Sequence, residues 1–150
     1  MAFALRSSAF VNGGKIPSLY TCDEKDINPQ LEWSDAPENT KSFVLIMDDP
    51  DAPGGIWDHW IVYNIPSNIT ELKENIGTDL PMGTKQGRNS WGKNRYDGPC
   101  PPDREHRYFF KLYALDISLN EQEGLSKIRV EEIINDHILA KAELIGSYKR

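Results

Sequence analysis

Proline placement most constrains how this chain can fold. Seven of its ten prolines lie between Pro50 and Pro102, and none follows Pro102. Proline fixes φ and lacks an N–H donor, so a helix cannot run through its interior positions. With eleven glycines added, the chain divides into a turn-rich body and a tail that permits helix. A simple helix bundle is excluded.

Apolar runs fill the spaces between these turns. Ser42–Asp48 is nearly continuously apolar and ends in turn residues, as a buried strand does. His59–Ile65, closed by Pro66, reads as a second strand, and the aromatic-rich stretch His106–Leu115 as the third and longest. Weaker strand signals lie at Phe3–Arg6, Gln30–Trp33 and Gly87–Trp91, and a short helical turn is expected around Ile69–Glu74. In the tail, Val130, Ile133, Ile134, His137, Ile138 and Ala142 fall on a helical stripe. Glu131 and Glu132 stand in its first turn, Gly146 stops it, and Ser147–Arg150 adds a short final strand. The expected fold is mainly β, a single domain over residues 1–150 with an antiparallel core and one or two peripheral helices.

Composition narrows the function classes. A net charge of −6 argues against a general nucleic-acid binder and against a polybasic membrane anchor. No run approaches the ~20 apolar residues of a transmembrane helix, and Met1–Ser8 does not read as a signal peptide. A cytoplasmic setting is therefore expected. The two cysteines, Cys22 and Cys100, fit a reduced compartment in which neither need pair.

Four segments carry residues able to do chemistry. Asp48-Asp-Pro-Asp-Ala-Pro-Gly-Gly55 sets three carboxylates at a strand end, where they repel one another unless a cation is near. Trp57-Asp-His59-Trp60 opens the next strand, and alternation puts Trp57 and His59 on one face and Trp60 on the other. Tyr96-Asp-Gly-Pro-Cys-Pro-Pro102 is a stiff loop suited to a pocket wall, in which cis X-Pro bonds are conceivable. Gly98 within it permits close backbone approach. His106-Arg-Tyr108 follows, with His106 and Tyr108 on one face and Arg107 turned toward a surface ion pair. Each segment alone also reads blandly, as a solvated turn, a packed histidine or a rigid connection. Together they describe one small pocket with donors for a phosphate monoester or another small anion.

These segments resemble the phosphatidylethanolamine-binding protein family, also called Raf kinase inhibitor proteins, in its bacterial and archaeal branch. The matching pieces are Asp49–Pro53, His59–Pro66, Tyr96–Pro102 and His106–Asp116, with support from Asn28–Trp33, His137–Ala140 and Glu143–Tyr148. The resemblance implies a large central antiparallel sheet, a smaller second sheet, and helices near the C-terminus. It implies a pocket for phosphate or phosphorylethanolamine built from Asp49, Asp51, Trp57, His59, Gly98, Pro99, Cys100, Pro101, Pro102, His106 and Tyr108. It also implies pairing of two copies and modulation of a kinase or other protein partner. Two departures from the eukaryotic pattern imply a more open pocket: a short link of Gly54–Ile56 before Trp57, and no evident counterpart of the C-terminal helix that partly covers the pocket in the mammalian proteins.

The resulting expectation is a non-enzymatic binding protein without cofactor. Two alternatives stay open: a hydrolase with Cys100 as nucleophile and His59 or His106 as base, and a metal site of His59, His106 and Asp49 or Asp51. His137, on the apolar stripe, reads as a core or interface residue.

Overall fold

The computed structural model describes residues 2–150. The strands are β1 (Ala4–Arg6), β2 (Leu31–Ser34), β3 (Ser42–Asp49), β4 (Trp57–Pro66), β5 (Glu71–Leu72), β6 (Lys85–Gln86), β7 (His106–Leu115) and β8 (Ile138–Tyr148). The helix α1 (Lys127–Ile134) precedes β8. Two antiparallel sheets result: a five-stranded sheet in the order β6-β4-β3-β7-β8 and a three-stranded sheet in the order β1-β2-β5. The mainly β architecture with a large and a small sheet is as expected.

The unbroken apolar run of β3 has a direct cause. Every one of its residues is buried, because the strand is central and covered on both faces. Phe43, Leu45 and Met47 join the core against the small sheet, with Leu31, Trp33, Trp60, Phe110 and Leu144. Val44 and Ile46 face the other way and pack with Ile61, Tyr63, Val130 and Ile134 beneath α1. Burying such side chains contributes roughly 1.5–3 kcal/mol each relative to exposure.

Ionic contacts serve the α1 side too. Asp48 is buried and accepts from Lys111 Nζ at 3.2 Å and Lys127 Nζ at 3.4 Å, and Lys127 also reaches Asp58 at 3.0 Å. The carboxylate repulsion anticipated at the end of β3 is relieved here for Asp48, so that acid belongs to the core beneath the helix.

Three sequence expectations are corrected. The tail helix stops at Ile134, and Ile138–Tyr148 forms a long strand paired with β7 instead of helix. Ser126 caps α1 by accepting from the Arg129 amide. The helical turn at Ile69–Glu74 is instead the strand β5, drawn extended by pairing with β2. The strand at Gly87–Trp91 is absent, and pairing there is confined to Lys85–Gln86. Among the described residues all peptide bonds are trans, the proline loop included, and no helix is long and apolar enough to cross a membrane.

Candidate functional site

Antiparallel order brings the end of β3 beside the starts of β4 and β7, because Asp49 pairs with Trp57 and Asp48 with Phe109. The acids, His59 and His106 thus meet at one end of the large sheet. A register irregularity lies between Met47↔Trp60 and Asp48↔Asp58, leaving His59 as the extra residue. Such a bulge re-aims side chains. His59 and Trp60 consequently both face the side that carries Tyr108, which corrects the simple alternation expected for Trp57–Trp60.

A cavity of about 440 Å³ opens there. Among its walls are Asp49, Trp57, His59, Gly98, Cys100, Pro101, Pro102, His106 and Tyr108. Two expected residues are outside it. Asp51 turns to Arg107, accepting from its Nε, Nη2 and backbone amide at 2.9 Å each. That forked hydrogen bond with Arg107 lowers the Asp51 pKa to about 2 against the effect of burial. Pro99 instead offers its carbonyl to the Cys22 amide at 3.1 Å.

Further wall residues are Cys22, Asp26 and Trp91, which sequence reasoning missed, and Ala52, Pro53 and Asp97, which lie in segments it had singled out. Asp26 comes from a loop without a motif, whereas Asp97 lies within the Tyr96–Pro102 segment. Asp26 accepts from the Gly98 amide at 2.7 Å, which stitches its loop to the proline loop. Buried Asn89 organises the segment carrying Trp91 and Asp97. Its amide donates to Asp97 and to the Arg95 carbonyl, and its oxygen accepts from the Trp91 and Lys93 amides.

The two histidines differ in protonation. His59 Nδ1 lies 2.7 Å from the Asp97 carbonyl. A carbonyl can only accept, so Nδ1 carries the hydrogen and neutral His59 keeps a bare Nε2. Burial pushes the His59 pKa down, against the partial opposition of Asp97, Asp49 and Asp48. His106 has carboxylates on both sides: Asp49 at 2.6 Å from Nδ1 and Asp103 at 2.7 Å from Nε2. Two anionic acceptors require two N–H donors, so His106 is an imidazolium. Burial works against that charge, but the hydrogen bonds to Asp49 and Asp103 outweigh it and raise the pKa.

Tyr108 stacks 6.4 Å from the His106 ring and meets the His59 ring edge-on at 5.2 Å. Its hydroxyl is buried and has no hydrogen-bond partner. The Cys100 amide approaches it without reaching hydrogen-bonding geometry. Burial first, and then the Asp49 and Asp51 charges, hold the phenol protonated far above its usual range. It is a standing donor in the cavity wall.

At the mouth, Trp57 and Trp91 pack edge to face at 5.4 Å, and Trp91 continues onto His59 at 5.0 Å. Both indoles are partly exposed.

Both chemical alternatives lose their reagents. Cys22 and Cys100 form a disulfide with Cα atoms 5.5 Å apart. This corrects the expectation that neither cysteine need pair, and it leaves Cys100 without a thiol to act as nucleophile. The expected metal donors do not converge either. Both His106 nitrogens are taken, Asp51 is held by Arg107, and among the described residues no group of three or more His, Cys, Asp or Glu is arranged to hold a metal ion.

The sequence profile of the phosphatidylethanolamine-binding protein family matches residues 6–149. The chain belongs to that family. Among its relatives is a UPF0098 protein of Methanothermobacter thermautotrophicus, 49% identical over 97% of this chain and 98% of the relative. Another UPF0098 protein, from Aquifex aeolicus, is 53% identical over 96% of this chain and 86% of its own length. Two crystal structures share the fold. A phosphatidylethanolamine-binding protein homologue from Chlamydia trachomatis superposes with a TM-score of 0.93 at 43% identity, covering 99% of this chain and 98% of its own. YbcL of E. coli, described as a member of the mammalian family, gives 0.94 at 35% identity, covering 100% and 99%. Family membership supports a binding protein.

Proposed function

We propose that the cavity binds the phosphate monoester of a small head group such as phosphorylethanolamine, and that the protein acts by binding it and not by turning it over. The observation that carries this reading is the Tyr108 hydroxyl, buried without a partner beside the His106 imidazolium. A buried, unsatisfied hydroxyl costs about 1–3 kcal/mol, and an anionic oxygen placed between it and His106 would recover that. The Trp57–Trp91 pair at the mouth suits the ammonium end of the same ligand, since indole faces attract cations.

Pairing of two copies and control of a kinase or other protein partner extend this reading. A partner seated over the mouth would sense whether the cavity is filled. The Cys22–Cys100 bridge favours an oxidising setting, or a cytoplasm of the disulfide-tolerant kind found in hyperthermophiles, over an ordinary reducing one.

Calorimetric titration with inorganic phosphate, phosphorylethanolamine and ethanolamine tests the reading. Tighter binding of phosphorylethanolamine than of phosphate identifies a head group, and equal binding identifies free phosphate. Tyr108→Phe is expected to weaken both phosphate ligands about tenfold while leaving unfolding stability equal or higher, because the substitution removes an unsatisfied group. Unchanged affinity in Tyr108→Phe contradicts the reading.

A further inference from the structure

The two acids on His106 are not equivalent. Asp49 is 4% exposed and anchored in the end of β3, where its second oxygen accepts from the Asp51 amide at 2.8 Å. Asp103 is 46% exposed and sits in the loop between Pro102 and β7. Its Oδ1 also accepts from the Arg104 amide at 2.8 Å. Among the described residues no lysine or arginine forms an ion pair with it, although a shallow groove lined by Arg104, Lys149 and Arg150 adjoins it.

The His106 imidazolium therefore has one donor, Nε2–H, whose partner is able to leave. One N–H donor serves one strong acceptor. An anionic ligand that takes Nε2–H and the Asp103 carboxylate exclude each other.

We propose that Asp103 is an intramolecular stand-in ligand, exchanged for an oxygen of the incoming anion, and that this exchange selects phosphate esters over carboxylates. The inference rests on the anion-site reading above and adds the residue that sets its selectivity. A simple carboxylate replaces like with like at His106 and gains little. A phosphoryl group brings more negative charge and three oxygens, so it can satisfy His106 and the orphaned Tyr108 hydroxyl together. The displaced Asp103 side chain finds compensation in the cations of the neighbouring groove.

The test titrates inorganic phosphate, phosphorylethanolamine and acetate into the wild-type protein, Asp103→Ala, Asp103→Asn and Asp103→Glu. Imidazole resonances of His59 and His106 are followed at a pH where His106 is protonated in every variant. Asp103→Ala and Asp103→Asn are expected to bind phosphate and phosphorylethanolamine about tenfold tighter and to gain acetate binding. Asp103→Glu is expected to return toward wild type. The tighter of the two phosphate ligands names the source, and both carry the gain. A purely structural Asp103 would give equal or weaker binding in Asp103→Ala, which overturns the exchange. If phosphate moves both histidines equally in wild type and Asp103→Ala, the exchange alone fails. If phosphate moves neither histidine in any form, the anion-site reading fails and the exchange falls with it.

Discussion

His59 and His106 occupy one cavity wall with opposite proton inventories, and backbone and carboxylate partners set the difference. His59 gives its only hydrogen to the Asp97 carbonyl, so an anionic oxygen can bond to its Nε2 only after a proton arrives. Anion binding near neutral pH should therefore take up protons. Calorimetry in buffers of different ionisation enthalpy is expected to give different apparent binding enthalpies, and identical enthalpies would contradict the tautomer. Stability follows the usual linkage. Burial lowers the folded His59 pKa, so its contribution is present above the unfolded value near 6.5 and is lost as the pH falls below it. The His106 pKa is raised, despite burial, by Asp49 and Asp103, so its contribution is complete below that value and is lost as the pH rises through the folded one. The two trends oppose each other, which makes binding a clearer reporter than unfolding. At this scale the sequence was informative about residue types, and the proline loop, His106 and Tyr108 stand together on the cavity wall. It was silent on Asp26 and Asp103, whose roles come from loop contacts that no local pattern encodes, and it marked the segment of Asp97 without the carbonyl contact to His59.

At the scale of elements, three strand ends and two loops make the site. The proline loop leans on the loop after the 3-10 turn Ser18–Tyr20 through the disulfide, the Gly98 amide and the Tyr96 hydroxyl, which donates to the Tyr20 carbonyl at 2.7 Å. Gly98 is required at that crossing because a Cβ there would clash with the Tyr20 carbonyl and stand 2.6 Å from Asp26 Oδ1. Gly98→Ala is expected to destabilise the fold by about 1–3 kcal/mol in denaturant unfolding and to weaken phosphate binding by displacing the wall. An unchanged midpoint would show that the loops are not in contact. The long strands were readable because their apolar runs end in prolines and acids. The β8 segment was misread for an identifiable reason. Ile134, Ile138 and Ala142 are spaced by four, which fits a helix turn and also two steps of a strand. Asn135 and Asp136 interrupt the helix, and pairing with β7 decides the rest. The bulge at His59 was equally hidden, since an inserted residue leaves no trace in composition.

Across the whole molecule, the large sheet joins strands that lie between Ser42 and Tyr148, and the Cys22–Cys100 bridge spans a sequence separation of 78. Two cysteines so far apart give no spacing signal, which is why their pairing was not legible. The order of the sheet explains how an acidic chain of net charge −6 could still hold an anion. Asp48 is turned under α1 against Lys111 and Lys127, and Asp51 is tied to Arg107. The cavity keeps the Tyr108 hydroxyl unpaired beside the His106 imidazolium, so local geometry and not the overall field would govern the proposed binding. The most direct measurement is an NMR titration of the wild-type protein with phosphorylethanolamine at millimolar concentration, following the imidazole resonances. Saturable shifts of both His59 and His106 are expected, with half-buried His137 unmoved. Fixed His59 and His106 resonances while others move would contradict the proposed binding.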